Sequence, residues 1–297
     1  MKCDLCPRKC LVDRKKGEKG ICGQTENLKV ARAALHFWEE PCISGDAGSG
    51  AVFFSGCPLH CVFCQNENIA NGTVGKEISL ERLVDIFLEL QEKRANNINL
   101  VTPGHFVPQI VKALDQARKE GLTLPVVYNT SSYETVDTIK MLEGYVDIYL
   151  PDFKYMSPVL SKKYSHAPDY AEVAKAAIAE MVRQTGKAVF VNGDEDNLIL
   201  SGTIVRHLTL PGCMADSMQI LKYLHDTYGD MIYISIMNQF TPLSNLEKYP
   251  ELNRRITDEQ YETLVDYAIE IGIENGFIQE GNTAEESFIP AFDCEGV

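Results

Sequence analysis

Three cysteines stand in one short run whose spacing could do chemistry: Cys57-Pro58-Leu59-His60-Cys61-Val62-Phe63-Cys64, a C-x3-C-x2-C pattern. Three thiolates are one short of the four that close a [4Fe-4S] cluster. A cluster held by three leaves one iron without a protein ligand, and an open iron is where a substrate or cofactor coordinates. Taken alone, the run also fits a zinc knuckle with one ligand from elsewhere, or three buried structural thiols. His60 lies inside the run and reads as a loop residue rather than a fourth ligand. Position favours the cluster. The run follows the strand-like Ala51-Val52-Phe53-Phe54, and parallel α/β folds place their sites in loops after strands.

A second group, Cys3, Cys6, Cys10 and Cys22, puts four thiols in a short irregular segment. Four suffice for a closed tetrahedral zinc site or a saturated [4Fe-4S] cluster. Metal binding is expected here, because a segment with so little core gains folding energy from it. Zinc and iron remain open. An auxiliary cluster or docking element is the functional reading, and a zinc staple is the preferred structural one. Cys42, Cys213 and Cys294 are scattered. Cys42, after Glu39-Glu40-Pro41, could be a reactive thiol or hydrogen-atom donor, but a lone thiol reads first as a small buried residue. His36, Trp38 and Tyr133 read as core or rim residues before lining of a substrate entrance, and Arg14–Lys16 as a solvated face.

These groups need elements to position them. The turn-rich Ser44-Gly45-Asp46-Ala47-Gly48-Ser49-Gly50 separates an irregular segment, residues 1–45, from a main domain, 46–280, and a tail, 281–297. Within the main domain, strand and helix patterns alternate. Leu80, Leu83, Val84, Phe87 and Leu88 mark one helix face, and Ile110, Val111, Leu114 and Ala117 another. Helices are also expected over 134–142, 169–185 and 215–228. A further helix opens on a Thr257/Gln260 capping box. Strands are expected at 98–101, 125–128, 146–150, 188–191, 203–210 and 231–237. Repeated strand–helix units imply a parallel sheet. Spacing alone fits either an open doubly wound sheet or a partial barrel.

The chain has 297 residues, 45% hydrophobic and 24% charged, with a net charge of −14. That size allows a large core without staples, and the acidity argues against broad contact with nucleic acid or anionic lipid. The start, Met1-Lys2-Cys3-Asp4-Leu5, has no apolar signal segment, and no run is long enough for a membrane span. The expectation is a cytoplasmic, monomeric enzyme whose cysteines serve as ligands rather than disulfides.

The run Cys57-Pro58-Leu59-His60-Cys61-Val62-Phe63-Cys64-Gln65-Asn66 resembles the cluster motif of radical S-adenosylmethionine (SAM) enzymes, with Phe63 in the aromatic slot before the last cysteine. Cys64-Gln65-Asn66 resembles pyruvate formate-lyase activating enzymes. The likeness extends over nearly the whole chain. It is closest to an uncharacterised branch that has an N-terminal cysteine segment and the runs Leu35-His36-Phe37-Trp38-Glu39-Glu40 and Asn97-Ile98-Asn99-Leu100-Val101-Thr102-Pro103.

The resemblance implies an α/β fold, a partial (β/α)6 TIM-like barrel, with the small cysteine-rich metal-binding segment before it. It implies a [4Fe-4S] cluster on Cys57, Cys61 and Cys64, and SAM chelating the open iron. Phe63, Asn66, Thr102, Asn129, Thr130, Asp152, Lys154, Arg206 and Asn238 would be the SAM-contacting set. Thr102 lies where the family has a Gly-Gly-Glu turn, and no glutamate is present there. Asn129 replaces an aspartate and Asn238 a histidine. A monovalent cation beside Asn129 and Asp152 is part of the same resemblance. So is a reductant of flavodoxin or ferredoxin type. The first expected activity is hydrogen abstraction from a protein partner, making a glycyl radical. The rivals are radical chemistry on another peptide, RNA or small molecule, and a non-catalytic iron–sulfur or zinc protein.

Overall fold

The structure is a computed structural model that describes residues 2–193, 197–242, 246–279 and 290–297. Strand β1 (Lys29–His36), helix α1 (Pro41–Ser44) and strand β2 (Ser49–Phe54) come first, then α2 (Glu67–Ala70) and β3 (Lys76–Glu77). Helix α3 (Leu80–Glu92), β4 (Ile98–Val101), α4 (Val107–Lys119), β5 (Val126–Thr130), α5 (Val136–Lys140) and β6 (Ile148–Pro151) follow. The remainder is α6 (Pro158–Ser165), α7 (Tyr170–Thr185), β7 (Val189–Phe190), β8 (Ile199–Leu208), α8 (Met214–Tyr228), β9 (Tyr233–Met237), α9 (Asp258–Glu270) and β10 (Gly276–Ile278).

Among the described residues the strands form one sheet in the order β10-β9-β8-β6-β5-β4-β2-β1-β3, with β7 paired to β8. From β2 to β10 the neighbours along this path are parallel. β1 runs antiparallel to β2, and β3 antiparallel to β1. The parallel strands stand side by side in chain order. A doubly wound sheet reverses that order part-way, so the arrangement is an open, partial barrel.

Period-two alternation assigns the two faces. Val52, Phe54, Ile98, Leu100, Val126, Tyr128, Tyr149, Val205, Ile234 and Ile236 join the core shared with the helices. Residues of the opposite parity split by height. Val127, Ile148, Leu150, Ile204 and Tyr233 form an apolar plug with Cys42 and Ile43. The next residues of that parity toward the strand ends are polar: Asn129, Asp152, Arg206 and Ser235. The sequence therefore changes from apolar to polar along one face, at the end where loops carry function.

Helices α3, α5, α6 and α9 begin where a side-chain oxygen caps them. Ser79 accepts from the Arg82 N–H at the start of α3, and Thr257 and Gln260 complete the capping box of α9. Such a cap contributes about 1 kcal/mol.

Several expectations need correction. Residues 1–45 are not irregular throughout, because Lys29–His36 forms β1; its alanines and single arginine hide a strand. Residues 290–297, within the expected tail, pack on β1: Cys294 N–H donates to Ala31 O at 3.0 Å and Ala33 N–H to Glu295 O at 2.9 Å. Residues 281–289 of that tail lie outside the described residues. The helix expected from Glu134 is only α5, because Thr135 caps it by accepting from the Thr138 N–H. Glu134 instead turns into the core and accepts from Tyr128 and Thr130. Helix α6 was not anticipated. β8 begins before Thr203, and β7 pairs with it antiparallel.

Candidate active site

The Cys57–Cys64 loop leaves the end of β2 and turns over a cavity of about 260 Å³ lined by all three of its cysteines. That volume lies at the small end of ligand sites. Burial pushes the Cys57 thiol up to about 11 and Cys64 to about 12, Cys61 adds to both, and Lys154 works the other way. Bare thiolates are disfavoured there, so the thiols rest neutral unless a positive partner stands beside them. Cys61 Sγ also accepts from Ser165 Oγ at 2.9 Å. Phe63 is buried and meets Tyr155 and Phe240 edge-on, with ring centroids 6.5 and 6.1 Å away. These rings close the back of the loop against water.

Opposite the cysteines lies a charged network. Arg206 donates from Nε to Asp152 Oδ1 at 3.0 Å, from Nη1 to Glu39 Oε2 at 2.9 Å and from Nη2 to Asn129 Oδ1 at 2.7 Å. Lys154 Nζ donates to Asp152 Oδ2 at 2.6 Å. Asn129 and Asn99 donate to Glu39 Oε1 at 3.1 and 3.3 Å. Side-chain exposures run only from 8% at Glu39 to 17% at Lys154. Burial alone would raise Asp152, but Lys154 and Arg206 outweigh it and hold the carboxyl below its usual range. Burial likewise opposes charge on Lys154 and Arg206, and their carboxylate neighbours outweigh it. Two carboxylates and two cations are thus fixed in one wall, a donor set complementary to an amino-acid zwitterion.

The structure brings most of the expected residues to one place. Phe63, Asn66, Thr102, Asn129, Thr130, Asp152, Lys154 and Arg206 all line the cavity. Thr102 is β-branched yet sits at φ 55°, a strained conformation of the kind found at ligand sites. Thr130 turns its hydroxyl to Glu134. Asn238 is not in the wall; its backbone N–H donates to Gln279 Oε1 at 2.7 Å.

Glu39 is the residue that sequence reasoning missed. It arrives from the link between β1 and β2, outside the loops that follow parallel strands. The only signal was the acidic pair Glu39-Glu40 ahead of Pro41. Its neighbour Glu40 is buried, which raises its carboxyl pKa; Arg206 opposes that shift and Glu39 adds to it.

Other readings shift as well. His36 and Trp38 line the cavity. Tyr133 is buried outside it, donating to Asp169 Oδ1 at 2.8 Å. Cys42 is buried and its thiol is pushed up to about 12 by burial, which suits a core residue rather than a reactive thiol. Arg14, expected on a solvated face, is buried. It donates from Nε to Thr25 O and from Nη1 to His105 O, and its guanidinium lies 5.4 Å from the Phe106 ring centroid. Carbonyls and an aromatic face replace the water its charge would otherwise need. Cys3, Cys6, Cys10 and Cys22 lie outside the cavity. Among the described residues, no three His, Cys, Asp or Glu side chains are arranged, as they stand, to hold a single metal ion.

The family model described as the radical SAM superfamily matches residues 51–197, from within β2 through the cysteine loop to just short of β8. This chain carries a radical SAM domain. Its superfamily works with a [4Fe-4S] cluster and SAM, and the cysteine loop and charged wall of this chain face one cavity. An uncharacterised protein of Methanocaldococcus jannaschii is 27% identical over 275 residues, covering 90% of this chain and 74% of that protein. Among solved structures, SuiB of Streptococcus suis bound to S-adenosylmethionine shares the radical SAM fold with a TM-score of 0.52 at 13% identity, over 80% of this chain and 51% of that one. HydG, a maturase of the [FeFe]-hydrogenase, aligns with a TM-score of 0.51 at 14% identity, over 76% and 50%. Methylornithine synthase aligns with a TM-score of 0.50 at 14% identity, over 75% and 60%. The chain spans about half the length of the SuiB and HydG structures. Among the described residues no helix is long and apolar enough to cross a membrane.

Proposed function

We propose that this radical SAM enzyme abstracts a hydrogen atom from a glycine of a partner polypeptide, as an activator of a glycyl radical enzyme. One observation carries the reading: three thiols, two carboxylates and two fixed cations line a single small cavity. When bound, the cluster and SAM supply one-electron cleavage of a sulfonium and a 5′-deoxyadenosyl radical that takes hydrogen. The electron comes from a reductant of flavodoxin or ferredoxin type.

The chain's own residues bind, orient and exclude water. Cys57, Cys61 and Cys64 would hold the cluster, with three thiolates for its four irons. Lys154 and Arg206 would serve the carboxylate of a bound cofactor, and Asp152 and Glu39 its ammonium group. Asn66, Thr102, Asn129 and Thr130 complete the wall, and Phe63 with Phe240 keeps water from the cluster. Asn238, between the lining residues Met237 and Gln239 but not itself in the wall, has no part in this reading. Nor is a monovalent cation needed, since Arg206 already donates to Asn129 Oδ1 and Asp152 Oδ1. SAM would largely fill a cavity of about 260 Å³, so the hydrogen donor enters from the open side. Phe37 and Trp38, 49% and 61% exposed, precede Glu39 in sequence and give a polypeptide loop an apolar landing.

The test is anaerobic reconstitution, reduction and SAM, with a candidate glycyl radical enzyme present. The expected result is 5′-deoxyadenosine together with a glycyl-radical EPR doublet on the partner. Cleavage without a doublet across partners would move the substrate to another peptide, RNA or small molecule. Zinc on Cys57, Cys61 and Cys64 with no cleavage would sink the enzyme reading altogether.

A further inference from the structure

The N-terminal cysteines sit outside the cavity, yet their segment grips the loop that carries Cys57, Cys61 and Cys64. Arg8 stands between Cys6 and Cys10. It donates from Nε to Pro58 O at 2.9 Å, from Nη1 to His166 O at 2.6 Å and from Nη2 to Ser165 O at 3.0 Å. Its guanidinium also lies 5.1 Å from the Tyr133 ring centroid. His60 Nε2 donates to Ile21 O at 2.8 Å. That one hydrogen bond joins the residue before Cys22 to the residue before Cys61. His60 is held at φ 49°, a conformation this contact helps to fix. Gly56 packs so closely that a Cβ there would stand 2.5 Å from Cys22 O. Arg14 holds His105 O, and His105 Nε2 donates to Ser55 O at 2.7 Å. Ser55, Gly56, Pro58 and His60 are therefore all held, directly or through His105, by residues 8–22.

A segment that braces another must itself be rigid, and this one has little else to make it so. Ahead of β1, its regular structure among the described residues is the 3-10 turn Arg14–Lys16. Leu11 and Ile21 are half exposed. Its cysteines, however, are gathered. Cys3 N–H donates to Val12 O and Leu11 N–H to Cys3 O, which sets Cys3 beside the stretch bearing Cys10. Lys9 N–H to Cys6 O and Gly23 N–H to Gly20 O close tight turns at Cys6 and around Cys22. A Cβ on Gly20 would stand 3.5 Å from both Cys10 Sγ and Cys22 Sγ. Burial raises the Cys6 and Cys22 thiols, and neighbouring cysteines add to it, Cys22 and Cys10 on Cys6, Cys3 and Cys10 on Cys22.

We propose that Cys3, Cys6, Cys10 and Cys22 bind a tetrathiolate metal centre, zinc or a saturated iron–sulfur cluster, that braces residues 55–60 of the catalytic-cysteine loop through Arg8 and His60. The shared chemistry is soft metal on four thiolates. The four thiols are neighbours without converging on a single point, so binding is a folding step for the segment, and the loop it holds is stabilised with it. The proposal does not depend on the substrate assigned above.

The test uses the full chain with Cys57, Cys61 and Cys64 all replaced by Ala, so that bound metal belongs to the second group and radical chemistry plays no part. It should hold about one zinc, or about four irons with sulfide and visible absorption. Amide exchange across residues 55–60 should be about tenfold slower with metal than after chelation. Adding Cys6→Ser and Cys22→Ser should remove the metal. Arg8→Gln should keep the metal and lose the protection, which separates bracing from a general loss of folding. A chain with wild-type circular dichroism that takes up neither zinc nor iron overturns the proposal. So does metal-bound chain whose exchange at 55–60 is unchanged by chelation.

Discussion

The two cysteine groups are built on opposite plans. Cys57, Cys61 and Cys64 hang from the end of a sheet strand, backed by Phe63, Tyr155 and Phe240, and face fixed charges across a cavity. Cys3, Cys6, Cys10 and Cys22 sit in a stretch with one short 3-10 turn, and none of them lines that cavity. A ligand set that stops at three cannot close its own site, so the sheet must hold it. A set of four can act as its own scaffold. On the proposed assignments, the incomplete set is the one placed where a reactant can enter, and the complete set is the one free to serve as support.

The sharpest way to break this contrast is to remove one ligand from each group. Cys57→Ala should abolish SAM cleavage, a fall of at least about a thousandfold, because three ligands are already the minimum for the cluster. Cys22→Ser should lose the second metal yet keep cleavage within about a hundredfold, the usual scale for a supporting residue. The check is 5′-deoxyadenosine yield per reduced cluster, measured beside metal content. Equal losses in the two variants would erase the distinction.

A smaller effect is expected on the wall opposite the open group. Arg206→Met removes the cation shared by Asp152, Glu39 and Asn129. Lys154 still faces Asp152, so the orphaned charge is mainly Glu39. Stripping one partner from such a buried pair costs about 3 kcal/mol, or roughly a hundredfold in SAM affinity if that loss falls on binding. Equilibrium SAM binding and the urea midpoint together divide the cost between the site and the fold. Unchanged SAM affinity would remove Arg206 from the proposed cofactor wall.

Much of this contrast was legible in the sequence, and what was not has a common cause. The helices α3, α4, α7, α8 and α9 carry their apolar faces at helical spacing, and the strands that end at the cavity are short apolar runs. Both are local signals. β1 is rich in alanine and gives no strand pattern, so its role in the sheet was invisible. The same gap hid Glu39, which reaches the site only because β1 pairs antiparallel with β2 and the chain must return across the strand ends. Arg14 sits in a basic run that reads as solvated. Its burial depends on carbonyls of Thr25 and His105 and on the Phe106 ring, and the last two are far away in sequence. Spacing revealed which residues could be ligands, while the tertiary fold decided which charges met them.

The smallest predicted effect lies where the two groups come nearest to sharing a residue. Ser165, at the end of α6, is fully buried; its hydroxyl donates to Cys61 Sγ and also meets the Tyr155 hydroxyl at 2.7 Å. Its carbonyl accepts from Arg8 of the N-terminal segment. A hydrogen bond to a cluster sulfur favours the more negative, reduced state, so its loss should lower the reduction potential. With a net worth of about 1 kcal/mol, the shift for Ser165→Ala is about 40 mV downward. Ser165→Thr, which keeps a hydroxyl, should recover most of it. Arg8→Gln cuts only the carbonyl contacts, and should move the potential by less than Ser165→Ala while loosening the loop more. Redox titration of the Cys57, Cys61 and Cys64 cluster in the three variants orders them. If Arg8→Gln shifts the potential as far as Ser165→Ala, the N-terminal group tunes the electronics of the open site as well as its shape, and the division between support and chemistry fails at this residue.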